Sequence, residues 1–174
     1  MRRILELHAA VAIMAAIALL PPGVASQNAR SGGTVTASSS IQAIRYAFAP
    51  DDVADLVMGA PKEKITLAMV VWLIRGGGRN ILFDSGYHRD TFLKDFPSIE
   101  YIRPDEAVKL TGVQPDQITD VVISHAHWDH LGGIDLFPKA RVWIQKEEFR
   151  YYTGEAWQPG GNHGGIDPLT FRNS

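Results

Sequence analysis

The sequence predicts one mixed domain of α-helices and β-strands, in the α+β class, and three observations support this prediction. The chain has 174 residues, of which 45% are hydrophobic and 21% are charged, so it has enough apolar material for one packed core. β-forming runs alternate along the chain with short segments of helical character. Three histidines and one aspartate fall within residues 124–130, directly after the apolar run at residues 121–123. A turn rich in possible ligands therefore follows a predicted strand.

Charge and cysteine content exclude several kinds of partner and site. The formal net charge is -2, and no run of Lys and Arg forms the basic patch that a nucleic-acid-binding protein needs. The chain has no cysteine, so its fold stands without disulfides, and no thiolate serves as nucleophile or metal ligand. We therefore expect a small-molecule substrate and no nucleic-acid partner.

Residues 1–26 have the pattern of a secretory signal peptide. Two arginines precede an apolar run at residues 9–20, which is too short to span a bilayer comfortably, and small residues close the segment. An uncleaved anchor and a misassigned start codon are the alternatives. Cleavage predicts a secreted or periplasmic protein without stable membrane insertion. Residues 27–40 are then a flexible linker rich in Ser and Gly, and residues 41–174 form the folded domain.

The first half of the domain is predicted to form three strands. Residues 41–48 are rich in β-formers, and residues 65–75 form a long apolar run. A Gly-rich turn follows, and residues 80–84 run back, which predicts a hairpin. Residues 51–61 are expected to form a loop or short helix, whereas residues 91–101 carry no clear pattern.

The second half is predicted to contain two further strands and two helices. A proline at the start and acidic residues in the first turn predict a helix at residues 104–110. Strands are predicted at residues 120–123 and 141–145, and a helix at residues 146–152 has glutamates placed to favour its dipole. Residues 153–174 are rich in Gly and Pro and lack a closing element, so we expect the C-terminal part of the domain to be missing.

The turn at residues 124–130 has the composition of a two-metal site. His125 and His127 are two residues apart, so in an extended segment both imidazoles point to the same side and can bind one ion. Asp129 and His130 are adjacent at a turn or helix start, where their side chains diverge toward a second ion. Nitrogen and oxygen ligands without sulfur fit Zn²⁺, and also Fe, Mn or Co. A set of ordinary surface or core histidines is the alternative.

Two such ions would provide a nucleophile at neutral pH and polarise a carbonyl or phosphoryl oxygen. Asp129 is then also the candidate catalytic residue, because its carboxylate can orient the nucleophile or pass a proton to a leaving group. Asp84 is a candidate supporting residue, since a carboxylate at the end of a buried strand needs hydrogen bonds or a cation. Either Asp84 caps the turn before Gly86, or it hydrogen-bonds to a metal-ligating side chain.

Two motifs in this order resemble those of the metallo-β-lactamase superfamily. His-x-His-x-Asp-His at residues 125–130, followed by Leu-Gly-Gly, resembles the metal-binding signature of that superfamily. Ile-Leu-Phe-Asp-Ser-Gly at residues 81–86 resembles its first motif, a strand that ends in Asp-Thr/Ser-Gly. The resemblance covers residues 65–152 and implies a four-layer αβ/βα sandwich, of which this chain supplies the N-terminal half only.

Within the superfamily the chain is most similar to N-acyl homoserine lactone lactonases. The similar stretches are the hairpin at residues 72–86, Asp-Ser-Gly-Tyr-His at residues 84–88, and residues 142–149. The resemblance implies a hydrolase with two Zn²⁺ ions that opens a lactone or ester with a metal-bound hydroxide. A β-lactamase and a thioester hydrolase of the glyoxalase II kind are alternatives.

The sequence departs from the superfamily pattern downstream of the motif. Members carry a third histidine for the first metal, a bridging aspartate and a final histidine for the second metal, and none of these is present. His163 lies in a Pro-Gly-Gly-Asn-His stretch that resembles a later family ligand, but it follows His130 too soon and is expected to be a loop or pocket residue. His88 is likewise not expected to bind metal. A truncated, inactive chain that binds metal only partially is therefore a further alternative.

The four tryptophans have two expected roles. Trp72, Trp143 and Trp157 are expected to be core or interface aromatics. Trp128 lies inside the metal motif and is expected to line the mouth of the pocket.

Overall fold

The structure is a computed structural model that describes residues 39–170. The predicted signal peptide at residues 1–26 and most of the predicted linker at residues 27–40 lie outside the described residues. Within the described part of the chain, no helix is long and apolar enough to cross a membrane.

In residues 39–170, five strands form one mixed sheet, in the same order in space as in the sequence. The pairs β1–β2 and β2–β3 are antiparallel, whereas β3–β4 and β4–β5 are parallel. The strands are β1 (Ser40–Asp52), β2 (Lys64–Gly76), β3 (Arg79–Phe83), β4 (Asp120–Val122) and β5 (Arg141–Trp143). All five predicted strands are present, and β1 is longer than predicted at its C-terminal end.

The predicted hairpin is formed by β2 and β3. Gly77 and Gly78 join the two strands with φ of 56° and 76°, a conformation that favours glycine and that suits a two-residue turn between antiparallel strands. Because β3 then pairs with β4 in parallel, the C-terminal ends of these two strands meet at one edge of the sheet.

Five short α-helices connect or follow the strands in the part of the chain that the structure describes. The helices at residues 104–110 and 146–152 were predicted, and the helix at Asp90–Asp95 was not, because its sequence has no side-chain N-cap and no apolar repeat. The helices are α1 (Val53–Leu56), α2 (Asp90–Asp95), α3 (Pro104–Lys109), α4 (Trp128–Leu131) and α5 (Lys146–Thr153).

The core lies on one face of the sheet. Val71, Leu73, Leu82 and Val121 are fully buried there, and α3 packs against them through its own buried residues. Side chains that alternate with these point to the opposite face, where Trp72 is 39% and Trp143 is 50% exposed. Trp72 and Trp143 therefore lie outside the core, so of the two expected roles only that of interface aromatics stays a prediction.

Asp120, the first residue of β4, is a buried carboxylate that connects the strands on both sides. Arg79 of β3 contacts its carboxylate through Nη2 at 2.5 Å, and the indole of Trp143 in β5 donates a hydrogen bond at 2.8 Å. The hydroxyl of Thr119 donates another at 2.6 Å. These hydrogen bonds, the one from Thr119 foremost, lower the pKa of Asp120 to about 2. The carboxylate is therefore ionised in the folded protein and holds β3, β4 and β5 in register.

Replacing this carboxylate should destabilise the sheet. We expect Asp120→Asn to lower the free energy of unfolding at pH 7 by about 2–4 kcal/mol, because Arg79 then loses a buried charged partner. Since the pKa falls from 3.8 to about 2 on folding, this contribution is present above pH 3.8 and is lost as the pH falls toward 2. The difference between wild type and variant, measured by urea unfolding, should shrink over that range.

Asp116→Asn is the matched control, because it breaks the exposed ion pair between Lys139 and Asp116. That change should cost less than about 1 kcal/mol at every pH. A loss for Asp120→Asn that is no larger than the loss for the control would contradict the role given to Asp120.

Candidate metal centre

The candidate site is built where the parallel strands β3 and β4 end. Phe83 pairs with Val122, so Asp84, one residue beyond Phe83, and Ser124, two residues beyond Val122, are brought together at the same edge of the sheet. The backbone amide of Asp84 donates to the carbonyl of Val122 at 2.8 Å, so the end of β3 is fixed to β4. The metal motif follows immediately on β4, and the first motif follows on β3.

Asp84 connects the two motifs through its carboxylate. The side chain is buried, and its Oδ1 accepts a hydrogen bond from the amide of Ser124 at 2.8 Å. Its Oδ2 accepts one from the hydroxyl of Ser124 at 2.9 Å and lies 2.8 Å from Nδ1 of His130. Asp84 also has a φ of 59°, which is uncommon for a residue other than glycine. The structure thus places Asp84 in contact with a predicted ligand, and its role toward a metal stays a prediction.

The three imidazoles of the motif form one cluster. The ring of His125 lies 4.6 Å from that of His127 and 4.0 Å from that of His130, measured between centroids. His130 therefore does not diverge from the first pair as expected. The chain turns at His127, the residue before α4, and the contact with Asp84 draws the His130 ring back toward His125.

Hydrogen bonds from neighbouring side chains orient two of these rings. Nδ1 of His125 lies 3.0 Å from Oγ of Ser124, and Nδ1 of His130 is engaged by Asp84. In both residues Nε2 faces away from that contact. Nε2 of His130 lies 3.3 Å from Oδ2 of Asp129.

Burial and mutual charge shift the pKa values within the cluster. Burial lowers the pKa of His125, and the neighbouring His130 and His127 lower it further. Burial acts in the same direction on His130, but hydrogen bonds to Asp129 and Asp84 outweigh it and raise the pKa of His130 to about 9. Burial raises the pKa of Asp129, yet its hydrogen bond with His130 brings that pKa below its ordinary value. His130 is thus a cation between two carboxylates when no metal is bound.

The donors of the cluster fit a metal ion in chemistry and in pairwise spacing. Imidazole nitrogen and carboxylate oxygen are the ligands that zinc and related ions take in the absence of sulfur. Two such donors on a tetrahedral zinc ion lie roughly 3.3–3.5 Å apart, and Asp129 and His130 meet this spacing at 3.3 Å. Among residues 39–170, however, no group of three or more His, Asp or Glu side chains is arranged to hold a metal ion. The described residues therefore supply pairs of donors and no complete set.

Three residues that sequence reasoning did not single out also hold the motif. The amide of Ala126 donates to the carboxylate of Glu148 in α5 at 3.0 Å, which fixes the backbone between the first two histidines. The hydroxyl and amide of Ser85 both donate to the carbonyl of His130 at 2.8 Å. A Cβ on Gly133 would lie 2.2 Å from the carbonyl oxygen of Ser85. Ser85 and Gly133 belong to the two motifs, and Glu148 lies in the stretch at residues 142–149 that resembles the lactonases.

Two histidines near the motif have structural partners of their own. Nε2 of His88 lies 2.9 Å from Asp135. His163 stacks on Trp157 with ring centroids 4.4 Å apart, and its Nδ1 lies 3.2 Å from the carbonyl of Ala156. Neither histidine contacts the three-imidazole cluster in the described part of the chain.

Trp128 packs inside an aromatic cluster. Its indole stacks on Phe92 at 4.6 Å and meets the ring of Tyr87 edge-on at 4.7 Å. The side chain packs α4 against α2 and so stabilises the backbone that carries Asp129 and His130. The expectation that Trp128 lines a pocket mouth stays a prediction.

The family follows from comparison with known proteins. The family model described as the metallo-beta-lactamase superfamily matches residues 67–171, which include both Asp84 and the complete metal motif. The chain belongs to the metallo-beta-lactamase superfamily. Membership implies a metal centre, in agreement with the nitrogen and oxygen donors gathered after β4.

Several curated proteins that are similar to this chain are N-acyl homoserine lactonases. The protein AttM of Azorhizobium caulinodans is 38% identical over 66 residues, which are 36% of this chain and 25% of the relative. The protein AiiB of Agrobacterium fabrum is 29% identical over 112 residues, which are 55% of this chain and 41% of the relative. This chain thus spans less than half the length of these relatives.

Solved structures confirm the predicted fold. An N-acyl homoserine lactone hydrolase with the product N-hexanoyl-L-homoserine at its catalytic metal centre is similar with a TM-score of 0.59 and 17% identity, over 76% of this chain and 58% of that chain. The dizinc lactonase AidC is similar with a TM-score of 0.52 and 19% identity, over 68% of this chain and 45% of that chain. The described sheet and its helices therefore form part of a metallo-β-lactamase-type α+β fold.

Removing the charge of Asp84 should weaken the hydrogen bond that holds the ring of His130. We expect Asp84→Asn to remove the hydrogen-bonded Nδ1–H signal of His130 from the proton NMR spectrum, because the amide no longer attracts the imidazolium. The zinc affinity should fall by roughly 10–100-fold, as it does when residues that orient metal ligands are replaced. Isothermal titration of the metal-free protein measures the affinity.

Asp135→Asn provides the control, since it removes a carboxylate from His88, a histidine outside the cluster. That variant should keep the affinity of the wild type. If both variants change zinc binding to the same extent, Asp84 has no special relation to the metal motif.

Proposed function

We propose that this chain carries the metal-binding motif of a hydrolase that opens a lactone or ester, with acyl-homoserine lactones as the substrate class. The observation that carries the proposal is the pair formed by Asp129 and His130, whose donor atoms lie 3.3 Å apart while Asp84 holds the other nitrogen of His130. The names of the curated relatives and the product seen in a solved relative support the choice of substrate class.

The proposed metal is Zn²⁺, with two ions in the complete site, and Fe, Mn or Co fit the same donors. His125 and His127 would bind one ion, and Asp129 and His130 the other. We propose that the remaining donors come from outside residues 39–170, because the donor groups described there form no set of three. The dizinc centre named for the similar lactonase AidC supports this assignment.

Bound metal ions would polarise the substrate carbonyl and provide a nucleophile from water at neutral pH. The residues of this chain then have distinct tasks. Ser124 and Asp84 each engage Nδ1 of one histidine, so Nε2 is the nitrogen of His125 and of His130 that would coordinate a metal. Ring opening adds water across the ester C–O bond, so the departing alkoxide needs a proton. Asp129 is the carboxylate placed to accept a proton from the attacking water and pass it to that oxygen.

A chain that binds metal only partially and has no activity is the second candidate. It is favoured by the incomplete donor set among the described residues, since a metal held by two side chains exchanges readily with solvent. The metal content of the purified chain separates the two candidates.

We also propose that residues 1–26 direct export and are removed. The support is the sequence pattern of two arginines, an apolar run and small residues. The intact mass of protein recovered from the periplasm or the medium tests it, and a mature chain that begins at Gln27 is expected. Recovery of the uncleaved chain from the membrane fraction alone would contradict the proposal.

The activity is tested with the zinc-loaded 174-residue chain and N-hexanoyl homoserine lactone, with ring opening followed by proton release at constant pH. We expect opening above the rate in buffer, and a loss of at least about 100-fold in His127→Ala, because one metal then loses a ligand. His88→Ala is the matched control and should keep the activity, since His88 pairs with Asp135 outside the cluster.

Comparing the rates on alternative substrates distinguishes the proposed lactonase from related hydrolases. A cephalosporin and a glutathione thioester, offered to the same zinc-loaded protein, should be hydrolysed more slowly than the lactone. Preference for either of them would overturn the proposed substrate class. Less than one zinc per chain with no turnover of any substrate would establish the second candidate.

A further inference from the structure

The loop that follows α5 returns to the metal motif and lies against His127. The carbonyl of Gly165 accepts a hydrogen bond from the backbone amide of Trp128 at 2.8 Å. A Cβ built on Gly165 would lie 2.9 Å from Cδ2 and 3.1 Å from Nε2 of His127. The ring of His127 therefore occupies the space into which a side chain on residue 165 would project.

This loop is anchored on both sides of Gly165. Ile166 is buried in the core of the domain. Asp167 is 5% exposed, forms an ion pair with Arg89, and accepts hydrogen bonds from the amide of Leu169 at 3.0 Å and the hydroxyl of Thr170 at 3.2 Å. Arg89 precedes α2 and follows the Asp-Ser-Gly motif along the chain. The ion pair thus ties the loop to the segment that carries Asp84.

His127 differs from the other two histidines in how its ring is placed. Ser124 contacts Nδ1 of His125, and Asp84 contacts Nδ1 of His130. In the part of the chain that the structure describes, no hydrogen bond orients the imidazole of His127. Its position is set by the ring of His125 on one side and by the backbone of Gly165 on the other.

We propose that Gly165 is a positioning residue for the imidazole of His127, and that the ion pair between Arg89 and Asp167 holds Gly165 in place. The link to metal binding rests on the proposed function, in which His127 is a ligand. The placement of the ring itself does not depend on a metal. The loop after α5 thereby limits the position of the His127 ring by steric contact. Each of the other two histidines is instead oriented by a hydrogen bond with a side chain.

A pair of glycine variants isolates this contact. Gly165 has a φ of +78° and Gly160, in the same loop, a φ of +86°, so alanine strains the backbone at both positions. Only Gly165 faces His127, whereas a Cβ on Gly160 meets nothing within 4 Å. Gly160→Ala is therefore the control for backbone strain.

The first readout is the ring signals of His127 in nitrogen–proton NMR spectra of the metal-free protein. We expect Gly165→Ala to shift these signals, and Gly160→Ala to leave them near their wild-type positions. The second readout is zinc titration, in which Gly165→Ala should weaken binding by tenfold or more relative to Gly160→Ala. Equal effects of the two variants on the His127 signals would overturn the proposal.

Variants of the ion pair between Arg89 and Asp167 test whether this pair holds Gly165 in place. Arg89→Gln removes the charge and should shift the His127 signals in the direction seen with Gly165→Ala. Arg89→Lys keeps the charge, and it should restore the wild-type signals because one Nη atom of Arg89 makes the contact with Asp167. If Arg89→Gln leaves the His127 signals unchanged, the ion pair does not hold the loop.

The two readouts separate this inference from the proposed function. Absence of zinc binding by the wild-type chain would contradict the proposed function, and the metal-free ring signals would still decide the placement of His127. Zinc binding that is equally strong in Gly165→Ala and Gly160→Ala, together with a shifted ring, would show that the contact has no bearing on the metal.

Discussion

The carboxylate of Asp84 is the contact on which the rest of the site depends. A buried carboxylate is stable only when hydrogen bonds or cations surround it, and Asp84 has the amide and hydroxyl of Ser124 and the ring of His130. These partners reach it only because β3 and β4 are parallel and paired with Phe83 opposite Val122. The register of the sheet therefore decides where His130 can stand. Asp120, at the opposite end of β4, fixes that register through Arg79 and Trp143.

The strands were predictable because their signal is local. The apolar run of β2 and the Gly-rich turn after it predict a hairpin without any knowledge of the rest of the chain. The helix α2 was missed because its N-cap, Arg89, has no capping side chain, and tertiary packing of Phe92 on Trp128 stabilises it instead. The aromatic packing of Trp128 was not predicted for the same reason, since Tyr87 and Phe92 are distant from it in the sequence.

The site was predictable in composition and less so in arrangement. The spacing of His125, His127, Asp129 and His130 indicated a metal motif, and the structure brings the three imidazoles into one cluster. The direction of His130 depends on Asp84, and the placement of His127 depends on Gly165, so neither could be derived from the motif alone. For Asp84 the sequence left two interpretations open, and the contact with His130 shows that the residue does more than cap a turn.

Among residues 39–170, an open sheet face occurs together with an incomplete donor set. Trp72 and Trp143 are half-exposed on the face opposite the core, and exposed apolar surface of this kind is typical of an interface. The chain spans 58% of a solved lactone hydrolase of the same fold.

Zinc K-edge X-ray absorption of the zinc-loaded chain tests the central claim most directly, namely that residues 125–130 bind the metal. We predict nitrogen and oxygen neighbours at about 2.0–2.1 Å from the zinc ion, with the scattering pattern of imidazole rings. This pattern should be lost when His125 and His127 are both replaced by alanine. An absorption spectrum that the double replacement leaves unchanged would contradict the claim.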